Sequence, residues 1–265
     1  MATQDPYRLQ VAKGDVEGVI PVFIWGVNPD ISDGDTTEET IRWGGGLQPY
    51  RTSAATLYVS SSSNNDDADS GASTGTKTLL LEGLDANYNL QSEVIVMQGR
   101  TQVATASTYI RVFRISSVTV GAQTKNFGDI YVTDSIGTSS GVPTGTKYLV
   151  QDNSNSSTLR NSSSAAIYTV PAGYTLYLDS VVFRYSIRIN VAADFSLGNF
   201  VTRSPVADSP FVSEFKHPLR ETYLNVLYPR PLAIPEKTDI ECRALDTGSG
   251  NNDGAASFTG LLVKN

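Results

Sequence analysis

The sequence predicts an all-β protein: two β-sandwich, jelly-roll-like modules preceded by an irregular N-terminal arm. Three observations carry that expectation. Residues 79–115 read LLLEGLDANYNLQSEVIVMQGRTQVATASTYIRVFRI. Here apolar runs at 79–81, 94–97 and 109–115 are separated by Gly-, Asp- and Asn-rich turns, the pattern of a β-meander. From Val181 the odd positions Val181, Phe183, Tyr185, Ile187, Ile189 and Val191 are apolar, while Arg184, Ser186, Arg188 and Asn190 alternate with them. That period of two belongs to a half-buried antiparallel strand. No segment carries the 3.6-residue apolar period of an amphipathic helix.

Taken in order, residues 1–55 form the arm. VIPVFIWGV at 19–27 is strand-like, but Pro21 argues against a central strand because it cannot donate to a ladder. NPDISDGDTTEE at 28–39 is a turn-rich acidic loop, and Gly44, Gly45 and Gly46 permit a sharp redirection. Val22, Phe23, Trp25 and Trp43 are large apolar groups without periodic core positions around them. They are the candidate interface residues, because such groups left in water invite aggregation.

The first module spans 56–150, with strands expected at 56–60, 77–82, 93–98, 109–115, 129–133 and 147–151. Thr105, Ala106 and Ser107 allow a bend before the fourth of these. Spacings near ten residues with turn signals between them suit a sandwich. Residues 151–164 form a Ser/Asn-rich linker. The second module, 165–265, opens with a hairpin-type turn at VPAG (170–173). It continues with the long strand from Val181 and adds strands at 222–227, 238–244 and 256–263. PEKTD at 235–239 is an exposed turn before a strand.

Of the 265 residues 40% are hydrophobic and only 18% charged, and the formal net charge is −7. An acidic chain is repelled by phosphate backbones, so no nucleic-acid partner is expected. Arg111, Arg114, Arg184 and Arg188 alternate along strands and form no basic block. The single cysteine, Cys242, allows no intrachain disulfide. MATQDPYRLQ has no apolar leader core, and no run approaches the roughly 20 apolar residues of a membrane span. Synthesis in a host cytoplasm and no membrane partner are therefore expected.

Chemistry has little to work with. His217 is the only histidine and is followed by Pro218. No G-x-S-x-G elbow surrounds any serine. Cys242 lies in an apolar strand sequence, IECRAL, and its only conceivable base partner is His217. Zinc lacks ligands. Asp30, Asp33, Asp35, Glu38 and Glu39 crowd one loop, and Asp66, Asp67 and Asp69 another. Calcium favours such oxygen-rich loops, but their spacing departs from the EF-hand order, and they read as solvated turns. No catalytic residue, metal or cofactor is expected. The 13 tyrosines suit either a strand core or an interface.

One resemblance extends along most of the chain. GLDANYN followed by SEVIVMQG and TYIRVFRI is joined by WGVNPDIS (25–32), WGGG (43–46) and TLYVSSSS (56–63). VPAG (170–173) and PEKTDIE (235–241) complete the set. In that order these segments resemble a family of tailed-bacteriophage virion proteins. The resemblance implies a structural role in the virion, exercised by binding rather than catalysis. The leading station is a capsid cement or decoration protein on the major capsid lattice, homo-oligomeric and most simply a trimer at a symmetry axis. The alternatives are a tail-side adaptor, fibre-anchoring or tail-surface component, or a receptor- or glycan-binding module on the particle. The partners implied are the major capsid protein or other virion proteins.

Overall fold

The computed structural model describes residues 5–31, 37–69, 73–153, 161–186, 196–219, 223–246 and 252–265. One short helix, α1 (Tyr7–Lys13), precedes β1 (Val19–Ile31) and β2 (Glu39–Thr40). The middle of the chain forms β3 (Ala55–Ser61), β4 (Thr76–Leu84), β5 (Leu90–Val96), β6 (Val103–Tyr109) and β7 (Arg111–Val120). It goes on to β8 (Ile130–Thr133), β9 (Thr138–Ser139), β10 (Val142–Pro143) and β11 (Lys147–Gln151). The last part holds β12 (Ile167–Thr169), β13 (Tyr174–Ser186), β14 (Ser196–Arg203) and β15 (Val212–Leu219). It ends with β16 (Tyr223–Ile234), β17 (Asp239–Asp246) and β18 (Asn252–Lys264). The all-β class is as the sequence predicts, and the small helix is an addition to it.

The chain divides into two units, and the division differs from the expected one. Unit 1 joins Met1–Ile41 to Ala166–Asn265, while unit 2 is the continuous stretch Arg42–Ala165. Residues 1–55 are therefore not an irregular arm. β1 pairs with β18 from Val19↔Val263 to Ile31↔Asn252, and Val22 and Ile31 are buried. The order β1-β18-β13-β16 places β1 at a sheet edge. Pro21 is thus tolerated in the position the sequence argument left open, since an edge strand has one unpaired side.

Unit 1 is an eight-stranded jelly roll. Its sheets run β1-β18-β13-β16 and β12-β17-β14-β15, with β2 added beside β17. From β12 onward the chain passes between the two sheets in the double Greek-key order. Edge-to-face ring pairs join the sheets: Phe183–Phe215 at 5.9 Å and Phe200–Phe258 at 5.8 Å. The predicted alternation holds where it is described: Val181, Phe183 and Tyr185 are buried, and Arg184 and Ser186 exposed. Positions 187–191 of that pattern lie outside the described residues. Upstream the phase is reversed, with Leu176 and Leu178 buried. A bulge between Leu178 and Ser180 inserts the extra residue, Asp179, that moves the apolar set back to the core. Gly260 makes room there, since a Cβ would stand 2.5 Å from the Tyr177 carbonyl oxygen. The turn at 170–173 is not a hairpin, because β12 and β13 belong to different sheets.

Unit 2 packs a four-stranded sheet, β11-β8-β3-β6, and a three-stranded one, β5-β4-β7, around buried Leu57, Val59, Val132, Leu79, Leu81 and Ile115. The expected meander is corrected. The third apolar run pairs with the first, Leu81↔Ile115, and not with the second. Residues 103–109 form β6, which leaves for the other sheet and pairs with β3. The bend at 105–107 is present as an irregularity where the Thr105 hydroxyl accepts from Leu57 N (2.9 Å) and donates to Ser107 O (2.7 Å). The end of the expected 151–164 linker is built into unit 2. Ser162, Ser163 and Ser164 are buried, and Ser163 N donates to Ile115 O. Asp66 ties three loops of this unit together. Its buried carboxylate accepts from Ser61 Oγ (2.6 Å), Thr76 N (2.7 Å), Phe127 N (2.7 Å) and Gly128 N (2.8 Å).

Candidate functional site

The outer face of the β1-β18-β13-β16 sheet is built by pairing registers that can be read strand by strand. One row is Trp25, Ser257, Val182 and Asn225; the next is Phe23, Thr259, Ser180 and Leu227; a third is Pro21, Leu261, Tyr177 and Ala233. These three rows hold no charged side chain. The Ser180 and Thr259 hydroxyls hydrogen-bond each other at 2.9 Å, so the polar groups within the rows partly satisfy themselves. Phe23 is 59% exposed, Leu227 67%, and Tyr223, opposite Arg184 on the adjoining row, 66%. Charge stands between and beside the rows: Asp179 and the exposed Arg230 lie between the second and third, and Arg184 on the row adjoining the first. α1 lies against β1, and Arg8 from it reaches Asp179 in the β13 bulge at 3.0 Å.

The opposite outer face, on the β12-β17-β14-β15 sheet, is an ion-pair network. Arg243 donates to both oxygens of the fully buried Glu241 (2.9 and 3.1 Å). Thr40, on β2, donates to the same carboxylate at 2.7 Å. Glu38 accepts from Lys216 and Asn199, each at 2.8 Å. Arg203 holds Asp239 through two bonds of 3.1 and 2.5 Å, and Thr169 donates to it at 2.6 Å. The Phe211 ring lies under both guanidiniums, at 4.6 Å from Arg203 and 4.2 Å from Arg243. Burial pushes the Glu38 carboxyl up, but the Lys216 and Asn199 hydrogen bonds and the neighbouring cations bring it below its ordinary value.

The four candidate interface residues are separated by this architecture. Phe23 and Trp25 share the uncharged face. Val22 points the other way, into the sandwich core, because neighbours on a strand alternate sides. Trp43 belongs to unit 2. There it lines a cavity of about 350 Å³ with Arg42, Leu47, Pro49, Lys147 and Val150. Sequence reasoning missed Tyr177, Tyr223 and Leu227. A signal existed: β16 opens with Tyr223, Leu224, Asn225, Val226 and Leu227, apolar on both faces, as is β1. A strand apolar on both sides calls for cover on both sides.

The residues weighed for chemistry stand apart. Cys242 is in the core beside Phe200, where burial raises its thiol well above the ordinary value, so it stays protonated. His217 is exposed on β15, two strands away from β17, and its Nδ1 is 2.7 Å from the Pro218 carbonyl oxygen. Of the acidic loops, Asp33 and Asp35 lie outside the described residues. Asp66 is filled by protein donors, and Asp67 Oδ1 accepts from Asp69 N at 2.8 Å. Among the described residues no group of three His, Cys, Asp or Glu could hold a metal. No described helix is long and apolar enough to cross a membrane.

No family model matches the chain, and no curated protein matches it. Among solved structures it is similar to that of the infectious bursal disease virus Gt strain. Identity there is 14% and the TM-score 0.23, over 98% of this chain and 78% of that one. It is also similar to T=1 particles derived from infectious bursal virus, at 12% identity and TM-score 0.25, over 94% of this chain and 70% of that one. At those values neither likeness says what this chain does.

Proposed function

We propose that this chain is a structural component of a bacteriophage virion, most simply a cement or decoration protein on the capsid lattice. The observation that carries the reading is the three uncharged rows on the outer face of the β1-β18-β13-β16 sheet, with Phe23, Tyr177 and Leu227 exposed. Fully burying a side chain of the size of Phe23 or Leu227 stabilises by roughly 1.5–3 kcal/mol. Three or four such groups on one sheet face suit a protein that binds another protein surface. The ordered segments that resemble tailed-phage virion proteins support the same reading, as does the protonated, buried state of Cys242 for a non-catalytic role. Repetition over a symmetric lattice multiplies a modest contact into a stable one. The partners are the major capsid protein and further copies of this chain, with trimers at symmetry axes.

Quantitative mass spectrometry of purified particles tests the station. Hundreds of copies per virion, and heads that burst at lower temperature without the protein, are expected of a cement protein. A copy number equal to a small multiple of the tail's rotational symmetry, with unchanged head stability, transfers the protein to a tail-side role.

A further inference from the structure

The strand edges of this chain are closed in different ways, and one is left open. β1 carries Pro21 and Pro29, β15 Pro218, and β16 Pro229 and Pro231, residues with no N–H to offer a further strand. In unit 2 the free side of β7 is covered by residues 161–163, where Ser117 N donates to Asn161 O and Ser163 N to Ile115 O, each at 2.8 Å. The free side of β6 is met by side chains of β5: Glu93 accepts from Ala106 N (2.8 Å), and Gln91 donates to Thr108 O (2.7 Å). On β11 the carbonyls of Lys147 and Tyr148 accept from Arg42 (3.1 Å) and Gln48 (3.3 Å). β5 itself ends the β5-β4-β7 sheet, with β4 as its ladder partner. Asp85 N donates to Asn89 O at one end of that ladder, and Met97 N to Lys77 O at the other. In the unbroken register between them the bonded pairs are Gly83↔Gln91, Leu81↔Glu93 and Leu79↔Ile95. The N–H and C=O groups of Ser92, Val94 and Val96 therefore face away from β4, and among the described residues nothing bonds to them. Val94 is 57% and Val96 48% exposed on the outer face. No proline interrupts the strand, and its one charged side chain, Glu93, turns to the other face. Glu82, opposite Ser92, lies 4.0 Å from Arg114. A chain of net charge −7 meets its own copy at least cost where no acid opposes an acid, and the outer side of this edge is such a place.

We propose that β5 pairs with β5 of a second copy, antiparallel about a two-fold axis through Val94. A row of open donors and acceptors at strand spacing specifies another strand as its occupant. A two-fold antiparallel contact makes the edge its own complement, so no second kind of surface is needed. Charge selects the register. An axis through Glu93 would set two Glu93 side chains directly opposite each other, which is unfavourable. An axis through Val94 sets Val94 opposite Val94 of the second copy and Ser92 opposite Val96, and each of these pairs exchanges both hydrogen bonds. Each Glu93 then falls beside an Ile95. The two three-stranded sheets run on as one, with Leu80 and Val94 of both copies in the row that crosses the axis. The edge belongs to unit 2 and the uncharged rows of unit 1 take no part in it, so the structural role proposed above stands or falls without it.

The test is sedimentation equilibrium of the full-length protein, with amide hydrogen exchange followed by NMR. A reversible self-association with a Kd below about 1 mM is expected. On association the amides of Ser92, Val94 and Val96 are expected to slow at least roughly tenfold, whereas those of Gln91, Glu93 and Ile95, bonded to β4, are slow at every concentration. Val94→Lys and Val94→Pro leave the bonds to β4 in place, and each is expected to weaken association at least roughly tenfold. Circular dichroism checks that both remain folded; if either does not, the exchange pattern of the parent protein decides. An equimolar mixture of Val94→Lys and Val94→Glu is expected to restore association, because the two side chains meet across the axis. Val118→Lys, on the same outer face but on β7, is expected to change nothing. A chain still monomeric at roughly 1 mM overturns the proposal. So does a folded Val94→Lys or Val94→Pro protein that associates like the parent, or a mixed pair that binds no better than either variant alone. An oligomer in which the amides of Ser92, Val94 and Val96 exchange as fast as in dilute protein also overturns it, since the copies then meet elsewhere.

Discussion

On the outer face of β17 and β14 every ionic group has a partner, and a neighbouring segment, β2, lies along the sheet edge. The three rows across the outer face of β1, β18, β13 and β16 hold nothing ionic to pair, and large apolar groups there stand in solvent. Both faces belong to one jelly roll, though β1, β13, β16 and β18 run to 12 or 13 residues and β14, β15 and β17 to 8. The first solves its own desolvation: Glu241, buried, is met by Arg243 and Thr40 from within the unit. The second leaves its apolar groups unsolved. A face completed internally serves the stability of the fold, whereas a face left apolar serves a contact that the isolated chain does not make.

The largest expected effect follows from β1, which contributes to both the exposed face and the core. Deleting residues 1–31 removes the strand that pairs with β18 along its length and takes buried Val22 and Ile31 with it. Unit 1 is expected not to fold, seen as loss of its cooperative unfolding transition, while unit 2 keeps its own. A truncated protein that retains both transitions would show that β1 is dispensable after all, contrary to its register.

Next comes the network face. Glu241→Ala leaves Arg243 and Thr40 facing a buried void, and breaking a buried pair costs about 3–5 kcal/mol. Urea unfolding should report a loss of that order, with Glu241→Gln less harmful because an amide oxygen still accepts from Thr40. A loss below about 1 kcal/mol, the usual range of exposed pairs, would reduce the network to surface decoration.

Glu38 gives the network a pH signature. Its folded carboxyl titrates below the ordinary value of 4.5, so the ion pair stabilises the fold at neutral pH. That contribution is complete above the unfolded value and is lost as pH falls through the lower folded one. Glu38→Gln is therefore expected to flatten the acid limb of stability below about pH 4.5 and leave the neutral-to-alkaline limb alone. No substitution on the uncharged rows should alter that limb, since they hold no carboxylate.

Much of this was legible in the sequence, for reasons that differ by residue. The alternation from Val181 identifies a core strand because period two is a local property. The hairpin between β4 and β5 is likewise local. The Asp85 carboxylate accepts from Asn87 N and Asn89 N at 2.8 Å each, and Tyr88 takes φ 67°. The unit boundary was not legible. β1 closes a sheet with a strand at the far end of the chain, and unit 2 is inserted between β2 and β12. Pairing between Val19 and Val263 leaves no trace in either segment read alone. The interface was half legible: Phe23 and Trp25 were identified by size, and Val22 was included because strand phase was not applied to the supposed arm. Tyr177 and Leu227 join them only through the register of β18 and β13, which no local pattern encodes.

The smallest expected effect on stability is also the one that tests the exposed face. Phe23→Ser with Leu227→Ser removes two large apolar side chains that are already mostly in water, so the transfer term that makes core truncations costly hardly applies. Surface substitutions of this kind usually shift stability by no more than about 0.5 kcal/mol, and the double variant should stay within about 1 kcal/mol of the parent. Its solubility should rise. Its binding to particles that lack the protein, measured by co-sedimentation, should fall at least roughly tenfold, because a contact that buries both groups loses a few kcal/mol. A matched pair on the other face, Lys216→Ser with Ser213→Ala, should leave co-sedimentation near the parent value. If the two double variants bind particles equally well, the uncharged rows are not the contact surface. If the exposed-face variant instead unfolds, those rows are buried by the chain itself, and the contrast between the two faces disappears.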